Sequence, residues 1–176
     1  MGSTPPGTGQ HASDSQKVRI RAATPDDLAL ILSLIRGLAE YEHLLDRCVV
    51  TEEALGEHLF GSRQYCEVII AQFASEPVGF ALFFHNYSTF LAKPGLYLED
   101  LFVVPERRGL GVGRALLRRL GEIALERGCG RLEWSVLDWN EPAIGFYKRL
   151  GAALLDDWTT CRIEGEALSS LAVGEG

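Results

Sequence analysis

Residues 104–116 read VPERRGLGVGRAL: an apolar run stops at Pro105, two arginines follow, glycines take the alternate positions 109, 111 and 113, and a helical apolar period begins at once. Glycine at three positions leaves bare backbone N–H groups facing the start of a helix, which favours an anion, and Arg107, Arg108 and Arg114 add positive charge. Two known phosphate signatures fail on spacing. A dinucleotide fingerprint begun at Gly109 needs glycine at 114, where Arg114 stands, and a P-loop needs Lys and then Ser or Thr after its last glycine. The stretch reads either as a cradle for a phosphorylated ligand or as a flexible turn that opens a helix.

Working outward, LYLEDLFVV (96–104) is a strand closed by Pro105, the helix after the glycines runs from about Val112 to Arg127 and ends at Gly128, and RLEWSVLD (131–138) is a strand again. Strand, helix and strand in that order form a crossover, so these two strands are expected to lie parallel in an otherwise antiparallel sheet. Upstream, VRIRAA (18–23) is a first strand. Thr24-Pro25-Asp26-Asp27 opens a helix with a capping hydroxyl, an early proline and two carboxylates, and Leu28, Ile31, Leu32, Ile35, Leu38 and Ala39 give it an apolar stripe. A short helix begins near Thr51. CEVIIAQF (66–73) and PVGFALFFHNY (77–87) form an antiparallel hairpin across Ala74-Ser75-Glu76-Pro77. Downstream, Pro142 to Leu150 is a helix with Gly151 behind it, and WTTCRIE (158–164) is expected to close the sheet. The fold class is mixed α/β. Residues 1–16, rich in Gly, Ser, Thr and Pro, are expected to be a disordered tail before a single domain over 17–176.

With 176 residues and 47% apolar content the chain can bury a sizeable core. No apolar run reaches membrane-spanning length and the N-terminus lacks the apolar segment of a signal peptide, so a cytoplasmic protein without membrane contact is expected. Four scattered cysteines and four histidines show no ligand spacing, so neither a disulfide framework nor a metal site is expected. A net charge of −7 argues against nucleic acid. The charge is unevenly spread: eight carboxylates (Asp26, Asp27, Glu40, Glu42, Asp46, Glu52, Glu53, Glu57) face Arg36 and Arg47 between residues 26 and 57, whereas five arginines oppose Glu106 alone between 106 and 119. One region attracts cations and the other anions, which suits two substrates of opposite charge.

The strand before the glycines carries two irregularities. Apolar alternation at Leu96 and Leu98 changes phase to Leu101 and Val103, as a one-residue bulge would produce. Glu99 and Asp100 interrupt an otherwise apolar run; they are either an edge pair reaching solvent or an arginine, or a general base whose pKa burial raises toward neutrality.

The stretch RRGLGVG satisfies the R-x-x-G-x-G signature from Arg108 to Gly113, and NEPAIGFYKRLGA (140–152) is similar to the closing motif of the GNAT N-acetyltransferases. More narrowly GLAEYE, YLEDLFV, RGLGVG and WNEPAIGFYKRLGA resemble, in matching order over about 18–158, the spermidine/spermine N-acetyltransferase branch. That resemblance implies acetyl-CoA as donor, a primary amine of a small cationic metabolite as acceptor, a homodimer, and a mostly antiparallel sheet with helices on both faces whose parallel pair splays around the cofactor. It further implies that Leu101, Phe102 and Val103 pair with the pantetheine arm like an added strand. Arg108, Gly109, Leu110, Gly111, Val112, Gly113 and Arg114 would receive the pyrophosphate, and Asn140, Glu141, Pro142, Ala143 and Tyr147 would complete the donor site. Glu99 matches the glutamate proposed to take the acceptor's proton, Tyr147 the tyrosine near the cofactor sulfur, and Tyr41 and Glu42 positions lining the amine site, where Glu40, Glu99 and Asp100 are expected on charge to help hold a cationic acceptor; Tyr147 also reads as a helix-packing residue, and Tyr41 with Glu42 as an ordinary helix end. One departure lies on the acceptor side: STFLAKPG (88–95) holds Phe90 where the mammalian polyamine enzymes carry tryptophan.

An alkylamine with a pKa of about 10.4 is neutral in about one molecule in 10³ at pH 7, and only that form attacks a thioester, so a base is required. Direct transfer without an acyl-enzyme is expected, with Glu99 as base and Tyr147 as acid. Polyamines, diamines and lysine- or thialysine-like amino acids fit the acidic half. A peptide or protein acetyltransferase and a non-catalytic acetyl-CoA sensor are the alternatives.

Overall fold

Among the described residues five strands pair in chain order: β1 (Val18–Ala22), β2 (Glu67–Phe73), β3 (Glu76–Ser88), β4 (Lys93–Val103) and β5 (Leu132–Trp134). The computed structural model describes residues 17–174, and the tail expected over 1–16 lies outside them. The β1–β2, β2–β3 and β3–β4 ladders are antiparallel and β4–β5 is parallel, as the crossover through α3 (Val112–Glu126) requires. The β2–β3 hairpin turns on Ala74 and Ser75, both at positive φ (50° and 69°), which matches the twist of the strands it joins.

The chain forms two compact units, the first running to Ser135 and the second from Val136. In the first, α1 (Leu28–Tyr41) and α2 (Glu52–Phe60) cover one face of the sheet. Ile31, Leu34, Leu55 and Leu59 pack there on Val68, Ile70, Phe80, Leu82 and Phe102. Ile31, Ile70 and Phe80 lose all solvent contact, each worth about 2 kcal/mol of apolar transfer. On the opposite face lies α3, with buried Leu116, Leu120 and Ile123.

Entry into α1 is held by one carboxylate. Thr24 heads a single tight turn over Pro25–Asp27, and buried Asp27 accepts from both Arg21 Nη atoms at 2.7 Å, from the Thr24 amide at 2.8 Å and from its hydroxyl at 3.0 Å. The Arg21 guanidinium, above all by hydrogen bonding, holds this carboxyl well below the usual carboxylate range. A depressed pKa stabilises the fold above the unfolded value of about 4, and that contribution is lost as pH falls. Asp27→Asn is therefore expected to lower stability by about 1.5–3 kcal/mol at pH 7, with the deficit shrinking at pH 3, in thermal unfolding followed by circular dichroism. An equal deficit at both pH values would contradict the assignment.

In the second unit, α4 (Glu141–Arg149) is capped by Asn140, whose Oδ1 accepts from the Ala143 amide at 3.3 Å, and α5 (Gly165–Val173) follows. Two expectations are corrected. The closing strand over WTTCRIE does not form: residues 158–164 are exposed and enter no ladder, because alternation makes a strand only where a neighbouring edge supplies hydrogen bonds. The strand expected over 131–138 is paired only across Leu132–Trp134, since β4 changes phase immediately afterward. α5 went unread in the sequence, although Gly174, at φ 75°, ends it with a common helix stop. No helix among the described residues is long and apolar enough to cross a membrane.

Candidate active site

The change of phase in β4 is a bulge. Leu98 stands opposite Phe83 and Asp100 opposite Leu82, which are adjacent on β3, so Glu99 is the residue without a partner. Up to the bulge, Leu96 and Leu98 lie in the buried layer under α3; beyond it, Asp100 and Phe102 lie on the α1 face with Leu82 and Phe80. A bulge re-aims side chains, and here it brings two consecutive carboxylates to one place.

Burial is shared unequally between them. Glu99 is exposed, whereas Asp100 is half-buried and its pKa is pushed up to about 6, first by burial and then by the charges of Glu99 and Glu42. The sequence set Glu99 and Asp100 side by side without dividing the burial between them, and the structure gives the larger share to Asp100. Glu42 caps the C-terminus of α1, immediately after Tyr41, and its own carboxyl is raised by burial. Cys66, just before β2, is raised by burial and by Asp100 and Glu99. Glu42, Glu99 and Asp100 thus form one acidic group around the bulge. Such a group holds an ammonium well, and a carboxylate titrating near neutrality can take a proton from it.

The bulge also marks where the parallel pair parts. The β4–β5 ladder ends at Leu98 opposite Trp134, so from Glu99 onward β4 has a strand on one side only. Because the Val104 amide donates to the Val78 carbonyl, the period of two turns the polar groups of Leu101 and Val103 to the open edge. Arg108 uses that edge: its Nε donates to the Val103 carbonyl at 3.0 Å. Leu101–Val103 therefore offer a row of backbone groups to an extended, amide-bearing ligand.

The glycine loop leads from this edge to α3. Gly109 and Gly111 hold φ of 78° and 81°, where side chains are strained, and a Cβ built on either would meet nothing within 4 Å. The backbone conformation and not a packed neighbour calls for glycine there, and among the described residues nothing stands where a side chain would lie, which leaves room for a ligand to approach. Gly111 caps α3 without a side-chain hydrogen bond, leaving the amides of Val112, Gly113 and Arg114 without partners inside the helix; they precede its first bond, from Ala115 to the Gly111 carbonyl. Leu110 is exposed at the loop tip. These residues fit a pyrophosphate, and the open β4 edge fits a pantetheine arm.

The second unit places Asn140, Glu141, Pro142 and Ala143 at the capped start of α4 and Tyr147 in its last turn, buried, with its ring 5.3 Å from that of Phe146. Two features escaped the sequence reading. The Arg108 guanidinium stacks on Tyr41, 4.3 Å from the ring centroid, and lies 5.7 Å from that of Phe102. Gly37 sits in α1 because a Cβ there would come to 3.0 Å from the Phe102 ring. A glycine inside an otherwise good helix, in GLAEYE, was the available signal for that close approach.

Comparison with known proteins agrees with this geometry. The family model described as acetyltransferase (GNAT) matches residues 38–152. The chain is similar to thialysine N-epsilon-acetyltransferase of Bos taurus, with 42% identity covering 88% of this chain and 97% of that one. It is also similar to L-ornithine N5-acetyltransferase of Arabidopsis thaliana, with 34% identity covering 87% of each. Among solved structures, an integron cassette protein from the mobile metagenome of V. cholerae superposes with a TM-score of 0.74 at 28% identity, over 88% of this chain and 97% of that one. A matching family model over more than half of the chain, relatives of 42% and 34% identity, an open strand edge and a glycine turn at the start of a helix converge: the chain belongs to the GNAT acetyltransferase family and is an acetyl-CoA-dependent N-acetyltransferase.

Proposed function

We propose that the chain is a cytoplasmic enzyme that acetylates the terminal amine of a small cationic metabolite, with lysine-like amino acids such as thialysine or ornithine preferred over polyamines. The observation that carries this reading is the acidic group of Glu42, Glu99 and Asp100 around the β4 bulge. Three carboxylates in one partly buried place repel one another, and a substrate bearing two positive groups relieves that repulsion. The similarity to the thialysine and ornithine enzymes supports an amino-acid acceptor.

When bound, acetyl-CoA supplies an acetyl group activated as a thioester. The chain's part is to make the amine nucleophilic and to assist departure of the thiol. In this reading Asp100, with Glu99 beside it, takes the ammonium proton; nitrogen then bonds to the acetyl carbon as the carbon–sulfur bond breaks, and the second proton it sheds replaces the one that the sulfur takes up. Tyr147 is the proposed donor of the proton that the departing sulfur takes up, and Glu42 with Tyr41 holds the distal charge of the acceptor. Leu101, Phe102 and Val103, the loop from Arg108 to Arg114, and Asn140 to Ala143 hold the donor. Homodimerisation belongs to the same proposal, and it is supported by the apolar surface of the second unit, where Trp158 is 77% and Leu171 65% exposed; sedimentation at micromolar concentration tests it.

The substrate test is kcat/KM on one preparation for thialysine, ornithine, spermidine and a simple monoamine that has no second charged group, scored by released CoA thiol. Thialysine or ornithine is expected to exceed spermidine by tenfold or more, and the monoamine by about 10²-fold, the worth of one sheltered charge-assisted hydrogen bond. A monoamine preferred over all three cations would reject the acidic-site reading.

A further inference from the structure

Arg108 touches both halves of the first unit's site. Its Nε is committed to the Val103 carbonyl on the open β4 edge, at 3.0 Å. Its plane is held on the Tyr41 ring at 4.3 Å, with the Phe102 ring on the same guanidinium at 5.7 Å. Tyr41 is the last residue of α1 and Glu42 is its cap, so the ring that holds Arg108 is joined directly to the acidic group. Phe102 is in turn backed by α1 at Gly37.

We infer that Arg108 and Tyr41 are a positioning pair that couples donor binding to acceptor binding: the α1 terminus fixes the guanidinium that orders the donor edge, and a bound donor fixes the α1 terminus that presents Glu42. With Nε anchored and the plane stacked on an otherwise exposed residue, the guanidinium is held in one orientation, and an oriented guanidinium binds an anionic or carbonyl group without the entropy loss of a free arginine. Coupling of this kind is reciprocal, so whatever Tyr41 contributes to donor affinity, the donor returns to the acceptor. This inference rests on the placement of acetyl-CoA along Leu101–Val103 and the glycine loop given above.

The test is calorimetric titration of the full chain with CoA, with no amine present. Tyr41→Leu removes the stacked ring, and CoA binding is expected to weaken by about 3–10-fold, the range of a partly exposed cation–π contact. Tyr41→Phe keeps the ring and is expected to restore the affinity, which separates stacking from any role of the hydroxyl. In the reciprocal arm, Arg108→Gln is expected to raise the KM for thialysine by a similar factor at saturating acetyl-CoA. Unchanged CoA affinity in a folded Tyr41→Leu variant would overturn the coupling, as would an unchanged thialysine KM in Arg108→Gln. A Gly111→Val control separates the two failures: if it too leaves CoA affinity unchanged, the placement of the donor falls, whereas loss of affinity in Gly111→Val alone rejects only the coupling.

Discussion

Replacing Asp100 with Asn is expected to lower kcat/KM for the amine by about 10²–10³-fold, within the range of a lost general base, while CoA affinity stays near its original value. The reason is the division of labour at the bulge: Asp100 is the carboxylate that burial, Glu99 and Glu42 raise to about 6, so at pH 7 it is mostly ionised yet basic enough to take a proton. The acid limb of kcat/KM is expected to bend near pH 6 in the unaltered enzyme and to lose that bend in Asp100→Asn. A rate within threefold of the original would remove Asp100 from proton transfer. The same substitution has an opposite effect on the fold. A carboxylate whose folded pKa lies above its unfolded one binds more protons in the native state, so stability falls as pH rises from about 4 through 6. Asn removes that cost, so Asp100→Asn is expected to be more stable at pH 8 by about 1–3 kcal/mol, with the gain vanishing below pH 4. A loss in activity joined to a gain in stability separates a functional group from a structural one.

Gly111→Val is expected to weaken CoA binding by about 10²-fold in calorimetry, the worth of one or two charge-assisted hydrogen bonds from amides that a branched side chain would screen. Strain is the rival explanation, because φ at Gly111 is 81° and valine resists the left-handed region. Gly128, just past the other end of α3, provides the control: it too has positive φ, 67°, and open space where a Cβ would stand. Gly128→Val carries the same kind of strain and is expected to lower the melting temperature comparably with CoA affinity intact. If both variants lose affinity equally, the glycine loop is a conformational need of the fold and the donor's phosphates lie elsewhere.

Much of this was legible in the chain because the signals were local. The proline-stopped strand, the glycine turn and the amphipathic α3 lie in one short stretch and require the parallel pair; the phase change between Leu98 and Leu101 marks the bulge in the sequence alone. The motif residues of the donor side are consecutive, and backbone recognition needs only a strand edge and a turn. WTTCRIE failed for the complementary reason, since its pattern described a strand but could not supply the partner edge that makes one.

By itself, then, the sequence determined the mixed sheet, the crossover, the bulge and the glycine turn, because each depends on the period or conformational freedom of neighbouring residues. Only the tertiary structure decided which of two adjacent carboxylates is buried, and that Tyr41 and Arg108, 67 positions apart, stack on one another. Burial and charge coupling are properties of what surrounds a side chain in space, and at Asp100 those surroundings come from the end of α1, the bulge in β4 and the start of β2, which no linear pattern brings together.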